Sequence, residues 1–191
     1  MEPLTLDPRS TALVLVDLQR GIVSRQTAPH AATDVVARAA RLADRFRTRG
    51  ALVVLVRVAY AADGRDRLAL RMDAAPLSTA QVAPDFSEPV AELGPKPGDL
   101  VITKHQWGAF YGTELDLQLR RRGVRTLVLG GISTNFGVES TARDANERGY
   151  EQVFVEDAMA GLSPEAHDFA VKNIFPRLGM VRSTEVVLGA L

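Results

Sequence analysis

Six runs of Val, Leu and Ile alternate with amphipathic segments along this chain of 191 residues, and this alternation constrains the fold more than any other feature. Continuous apolar runs are typical of parallel strands that are buried on both faces. The runs predict strands at Thr11–Leu18, Ala51–Val58, Leu100–Thr103, Arg125–Leu129, Gln152–Glu156 and Met180–Arg182. Apolar residues at 3–4 spacing predict helices at Thr33–Arg49, Thr113–Arg122, Asn135–Arg148 and Pro164–Phe175. We therefore predict an α/β fold, doubly wound with three layers, as a single domain over residues 1–191.

One segment interrupts the alternation. Ala59–Gly98 holds five of the ten prolines and no long periodic stretch. Loops of this length are usually functional lids or interface arms. We predict either such an arm or, as the alternative, a surface excursion with one short helix near Ser87–Leu93.

Composition excludes several function classes. Lys and Arg (23) balance Asp and Glu (23), so no net charge favours nucleic acid or an anionic membrane. The chain has no cysteine, and its three histidines, His30, His105 and His167, show no metal-binding spacing. We predict a cytoplasmic protein without metal, cofactor or membrane span, whose partner is a small molecule.

Polar groups at the carboxyl ends of predicted strands are the candidates for chemistry, because ligands of open parallel sheets bind there. Asp17 follows the first strand, Lys104 ends the third, and a glycine-rich turn, Gly130–Gly137, follows the fourth. A carboxylate directly after four apolar residues needs a partner or a pocket. An Asp17–Lys104 ion pair without chemistry is the alternative interpretation.

Three ordered motifs resemble the isochorismatase-like hydrolase superfamily, which includes nicotinamidases and other cysteine amidohydrolases. They are Val16-Asp17-Leu18-Gln19, Thr103-Lys104 with the following Gly108-Ala109-Phe110, and Gly131-Ile132-Ser133-Thr134-Asn135 with the helix after it. The stretch Lys104–Gly123 is especially similar to the YecD-type subgroup. The resemblance implies a mainly parallel six-stranded sheet of order 3-2-1-4-5-6, a homo-oligomer, and a cis peptide between Ile132 and Ser133.

In the family's cysteine hydrolases, an aspartate takes the thiol proton, a lysine stabilises the anion and the thiolate attacks an amide. By resemblance Asp17 and Lys104 are present, while Gly137 stands at the cysteine position, so thioester chemistry is excluded. The metal ligands of the nicotinamidase branch have no counterpart in Arg57–Asp63.

Two mechanisms remain open for Asp17. True isochorismatases also resemble this chain in having glycine at that position, and there the aspartate protonates a vinyl ether. Alternatively, ionised Asp17 activates water, with the Ser133 and Gly137 N–H groups as oxyanion donors. The two mechanisms predict opposite pH dependences.

Other residues are expected to contact substrate. These are Gln19, Ser133, Thr134, Trp107, Phe110 and Phe136. The three aromatic residues among them, together with Tyr111, are expected to form apolar walls that raise the pKa of Asp17 by desolvation.

The sequence thus predicts a hydrolase of a small metabolite without a covalent intermediate, and the alternative is an inactive family member that binds a small molecule. Two alternatives are weaker. A serine nucleophile at Ser133 or Ser140 has no histidine near it in the sequence. Nucleotide binding through Asp157 would need the glycine spacing GxGxxG, which the turn lacks. His105 is expected to serve in packing or substrate contact.

Overall fold

The computed structural model describes residues 4–74 and 83–191, and its strands form one six-stranded, all-parallel sheet. The strands are β1 Thr11–Val16, β2 Leu52–Val58, β3 Leu100–Lys104, β4 Thr126–Ile132, β5 Glu151–Ala160 and β6 Met180–Arg182. Their order is β3-β2-β1-β4-β5-β6. The predicted fold class and strand order are therefore confirmed.

Helices cover both faces of this sheet. They are α1 Arg20–Val23, α2 Ala32–Thr48, α3 Leu115–Arg121, α4 Glu139–Glu147, α5 Pro164–Phe169 and α6 Thr184–Ala190. A π-helical turn, Thr134–Val138, precedes α4, and a second one, Ala170–Ile174, follows α5. The Ser163 hydroxyl accepts a hydrogen bond from the Ala166 N–H at 3.1 Å and caps α5.

Strand β1 lies in the middle of the sheet and contributes to two cores. Its residues Leu13 and Leu15 pack with Phe46 of α2 on one face. Val14 and Val16 pack on the other face with residues of α3 and α4. Because all six residues of β1 are buried, its sequence has no polar alternation. The two cores produce the predicted three layers.

Strand β5 is longer than predicted because it contains an irregularity. Leu129 pairs with Phe154 and Gly131 pairs with Met159, so one residue of β4 lies opposite the four-residue bulge 155–158. Bulges redirect side chains and interrupt the apolar run that marks a strand in sequence. Polar Glu156 and Asp157 lie in this bulge, and the strand resumes after them.

The long segment between β2 and β3 also differs from the prediction. Single turns replace the helix expected near Ser87–Leu93, with hydrogen bonds from Glu88 N–H to Asp85 O and from Leu93 N–H to Val90 O. Residues 75–82 of this segment lie outside the described residues. Among the described residues, every helix is too short or too polar to cross a membrane.

Candidate active site

Asp17 and Lys104 meet at the carboxyl edge of the sheet. Strand β2 separates β1 from β3, yet the long Lys104 side chain spans it, and its Nζ lies 2.8 Å from Asp17 Oδ2. Asp17 adopts a left-handed conformation with φ 55° directly after β1. Aspartate tolerates this region better than most residues, and the turn directs its carboxylate to the end of the sheet. The predicted pairing of these two residues is present.

The ion pair is buried. Lys104 is 1% exposed and Asp17 is 6% exposed. Lys104 Nζ donates a second hydrogen bond to the Gln106 carbonyl at 2.9 Å. Burial raises the pKa of Asp17 to about 6, because the loss of water disfavours the carboxylate more than the Lys104 ammonium favours it.

The two oxygens of Asp17 have different surroundings. Oδ2 accepts the Lys104 hydrogen bond, whereas Oδ1 is buried and has no hydrogen-bond partner within residues 4–74 and 83–191. A buried carboxylate oxygen without a donor is costly in free energy, and such groups concentrate at functional sites. Oδ1 is therefore a buried carboxylate oxygen whose hydrogen-bonding capacity the described part of the chain leaves unused.

Gly131 allows β4 to approach β1 closely. Its φ is 128°, and a Cβ atom there would lie 2.1 Å from the Val16 carbonyl oxygen. Only glycine fits this position. The Ile132–Ser133 peptide that follows is cis, and the chain then enters the π-helical turn. The turn is thereby placed beside the end of β1.

Gly137 lies in that turn against Asp17. A Cβ atom at Gly137 would be 3.0 Å from Val16 Cγ1, 3.1 Å from Asp17 Oδ2 and 3.6 Å from the Trp107 carbonyl oxygen. These contacts are tight, but modest shifts would relieve them. Gly137 therefore directly adjoins the ion pair.

The aromatic residues predicted to form an apolar wall near Asp17 have different surroundings. The rings of Trp107 and Phe136 lie 4.8 Å apart, and Trp107 is half exposed. Phe110 is instead buried in the core, where its ring stacks on Tyr150 with a centroid distance of 5.9 Å. Tyr111 is 77% exposed, so it contributes little desolvation.

Gln19 has a structural role rather than the predicted contact with substrate. Its side-chain N–H groups donate to the carbonyls of Val58 at 2.9 Å and Phe86 at 3.0 Å, and its oxygen accepts from the Val58 N–H at 2.8 Å. The residue is 1% exposed. Because these bonds use both amide hydrogens, Gln19 ties the start of α1 to the end of β2 and to Phe86 of the segment between β2 and β3.

The hydroxyl groups of the turn are also bonded within the protein. Thr134 is fully buried, and its Oγ1 lies 2.8 Å from His167 Nδ1, so the predicted substrate contact by Thr134 is not supported. Ser133 Oγ donates to Asn135 Oδ1 at 3.1 Å. Ser133 remains partly exposed at the site, whereas Thr134 connects the turn to α5.

His30 and His167 show no metal-binding spacing in the sequence, yet they lie close together in space. Their rings lie edge to face with centroids 5.8 Å apart, and Glu156 of the β5 bulge adjoins both. Burial lowers the pKa of His167 and so favours its neutral form. No local spacing motif joins these three residues, so the sequence gives no signal for the group.

Two further candidates have structural partners. Asp157 Oδ1 accepts hydrogen bonds from Thr184 N–H at 2.7 Å and Oγ1 at 2.8 Å, which does not support a nucleotide-binding role. His105 is exposed, and its Nδ1 lies 2.6 Å from the Ala59 carbonyl and 3.3 Å from Asp66 Oδ2. Neither residue adjoins the Asp17 carboxylate through these contacts.

Comparison with known proteins identifies the family. A family model described as the isochorismatase domain matches residues 11–186. The uncharacterized isochorismatase family protein YecD of Escherichia coli O157:H7 is 50% identical over 190 residues, with 98% of this chain and 100% of the relative covered. Ureidoacrylate amidohydrolase RutB of Variovorax paradoxus is 33% identical over 207 residues, with 96% and 82% covered.

A solved structure agrees with these sequence matches. The structure of an isochorismatase family protein from Burkholderia thailandensis is 47% identical, has a TM-score of 0.94, and covers 100% of this chain and 99% of that one. The family match spans all six strands of the sheet and includes Asp17, Lys104 and Gly137. The chain therefore belongs to the isochorismatase family of hydrolases.

Proposed function

We propose that this protein hydrolyses a small metabolite without a covalent enzyme intermediate, with Asp17 as the general acid and base. The observation that carries the proposal is the Asp17 carboxyl group, in which Lys104 holds Oδ2 while buried Oδ1 has no partner among the described residues. One oxygen is fixed in position, and the other is available to exchange a proton. This division of roles suits proton transfer.

The substrate class that we propose is an amide or ureido compound. RutB is named for hydrolysis of ureidoacrylate, an amidohydrolase reaction, and its similarity extends over 96% of this chain. Gly137 supplies no nucleophilic side chain, so water must attack the carbonyl carbon directly. Trp107 and Phe136 would provide an apolar wall beside the Asp17 carboxyl group.

In the proposed reaction, Asp17 Oδ1 takes a proton from water while the water oxygen bonds to the carbonyl carbon. The electron pair of the carbonyl π bond moves to its oxygen, which the N–H groups of Ser133 and Gly137 stabilise. Collapse of this intermediate breaks the C–N bond, and the Asp17 proton passes to the departing nitrogen. The products are a carboxylic or carbamic acid and an amine, and Asp17 is again ionised.

The raised pKa of Asp17 assists this chemistry. A carboxylate with a pKa of about 6 is a stronger base than an ordinary aspartate, and its conjugate acid still forms near neutral pH. The same property favours the second candidate, protonation of a vinyl ether, which requires neutral Asp17. Water activation predicts a rate that rises through about pH 6, whereas vinyl-ether protonation predicts a rate that falls there.

A substrate screen tests the proposal. The panel comprises ureidoacrylate, N-carbamoyl amino acids, primary amides, carboxylic esters and isochorismate, and Asp17→Asn serves as the matched variant. We expect turnover of at least one ureido or amide compound and a loss of at least about 100-fold in Asp17→Asn. Equal turnover by Asp17→Asn would contradict the mechanism. Binding of panel compounds without any turnover would instead identify the protein as an inactive binding member of the family.

A further inference from the structure

His30, Glu156 and His167 form a group that the proposed reaction does not use, which we call the His-Glu cluster. One potential ligand atom of each residue lies within 4.8 Å of those of the other two. The two imidazole rings meet edge to face at an interplanar angle of 89°. Three metal-binding side chains thus converge on one point.

Separate parts of the chain hold the cluster together. The His30 loop is attached to the segment after β5 by two hydrogen bonds between Ala28 and Gly161, at 3.0 and 2.7 Å. Glu156 projects from the β5 bulge, while the neighbouring Asp157 bonds to Thr184 instead. His167 is buried in α5, whose start is capped by Ser163. The convergence therefore depends on tertiary structure.

The spacing within the cluster fits an interposed atom better than direct contact. Among residues 4–74 and 83–191, the Glu156 carboxylate accepts no hydrogen bond and has no ion pair within 4.0 Å, although both imidazoles lie within 4.8 Å. Zinc with ligands at about 2.0–2.2 Å places them about 3.3 Å apart. The ligand atoms therefore need to approach one another by about 1.5 Å at most. His30 in its loop and the partly exposed Glu156 carboxylate can move by this distance.

The contacts of His167 also resemble those of a metal ligand. Its Nδ1 shares a hydrogen bond of 2.8 Å with the Thr134 hydroxyl, which leaves Nε2 for coordination. Metal-bound histidines commonly have such a second partner, which fixes the ring orientation and tautomer. Two imidazoles and one carboxylate form a donor set that zinc and ferrous iron accept with open positions for water.

We propose that the His-Glu cluster binds a divalent transition-metal ion of the zinc class, with His30, Glu156 and His167 as ligands. Thr134 belongs to the same turn as Gly137, so the ion would position that turn through His167. The role is positional, and it stands independently of the reaction proposed for Asp17.

Metal titration of the full chain tests this site. Protein freed of metal by chelation is titrated with Zn²⁺ by calorimetry and with Co²⁺ by visible absorption. We expect one Zn²⁺ per chain and a d–d absorption band from bound Co²⁺. Glu156→Gln preserves the size of the partly exposed side chain, and it should weaken Zn²⁺ binding at least about tenfold. Thr134→Val should weaken binding by about 10–100-fold without changing the stoichiometry.

Matched controls make the result specific. His105→Gln removes an exposed histidine outside the cluster and should leave the Zn²⁺ affinity unchanged. If Glu156→Gln unfolds, His30→Asn in the loop provides the same test. Zn²⁺ affinity in Glu156→Gln or His30→Asn equal to wild type would overturn the proposal, as would an absent Co²⁺ band.

Discussion

Removing either member of the Asp17–Lys104 pair should destabilise the protein far more than removing both. The pair joins Lys104 Nζ to Asp17 Oδ2 at 2.8 Å, and both side chains are buried. The variants are Asp17→Asn, which suits the left-handed backbone, Lys104→Met, which preserves side-chain length, and the double variant. Each single variant leaves one charge buried without its partner, which costs about 3–5 kcal/mol in the free energy of unfolding.

The pH dependence follows from the pKa of Asp17. The rise from 3.8 to about 6 means that folding favours the protonated carboxyl, by about 3 kcal/mol. This contribution is fully present below pH 3.8 and is lost as the pH rises through about 6. Removal of the Lys104 charge raises the pKa of Asp17 further. The deficit of Lys104→Met relative to wild type should therefore be largest at pH 8 and should shrink as Asp17 becomes protonated.

Urea unfolding at a fixed protein concentration, followed by far-ultraviolet circular dichroism, measures all four proteins. Additivity predicts a cost of about 6 kcal/mol or more for the double variant, whereas we expect it to cost less than either single variant. An additive double variant would refute the proposed coupling. A Lys104→Met cost below about 1 kcal/mol at pH 8 would show that solvent screens the pair.

Two further substitutions test the surroundings of the pair. Gly137→Cys places the chain's one thiol against the Asp17–Lys104 pair, where Asp17 can accept the thiol proton and Lys104 favours the thiolate, so iodoacetamide should alkylate it at least about tenfold faster at pH 6.5 than exposed Ser24→Cys. Equal rates would contradict the placement of Gly137. Gln19→Leu leaves three backbone groups without their partner, two at buried Val58 and one at partly buried Phe86, and should cost about 3 kcal/mol in urea unfolding, against less than about 0.5 kcal/mol for exposed Gln26→Leu. A Gln19→Leu cost as small as that of Gln26→Leu would contradict the structural role and favour the predicted contact with substrate.

The strands were predictable because parallel strands buried on both faces leave continuous apolar runs. The predicted ends of β6 are those observed, and β2 begins one residue after its predicted start. The length of strand β5 was underestimated because Glu156 and Asp157 in its bulge interrupt the apolar run. The helix predicted near Ser87–Leu93 is wrong because local turns, rather than a continuous helical ladder, bond that backbone.

The candidate site was predictable where position along a strand determines it. Lys104 lies at the end of β3, Asp17 and Gly137 follow the ends of β1 and β4, and the sheet brings the three together. The direction of a side chain depends on contacts far away in sequence, so the burial of Phe110 against Tyr150 could not be anticipated. The same limit applies to the His-Glu cluster, whose members come from a loop, a bulge and a helix.

The pH dependence of kcat/KM tests the central claim, that Asp17 activates water by exchanging a proton through Oδ1. With an amide or ureido substrate from the screen, kcat/KM should rise through about pH 6 in the wild type. In Lys104→Met the inflection should move to higher pH, because the carboxylate loses its cation, while Asp17→Asn should lack it. A rate that falls through about pH 6, or an inflection that Lys104→Met leaves unmoved, would contradict the account.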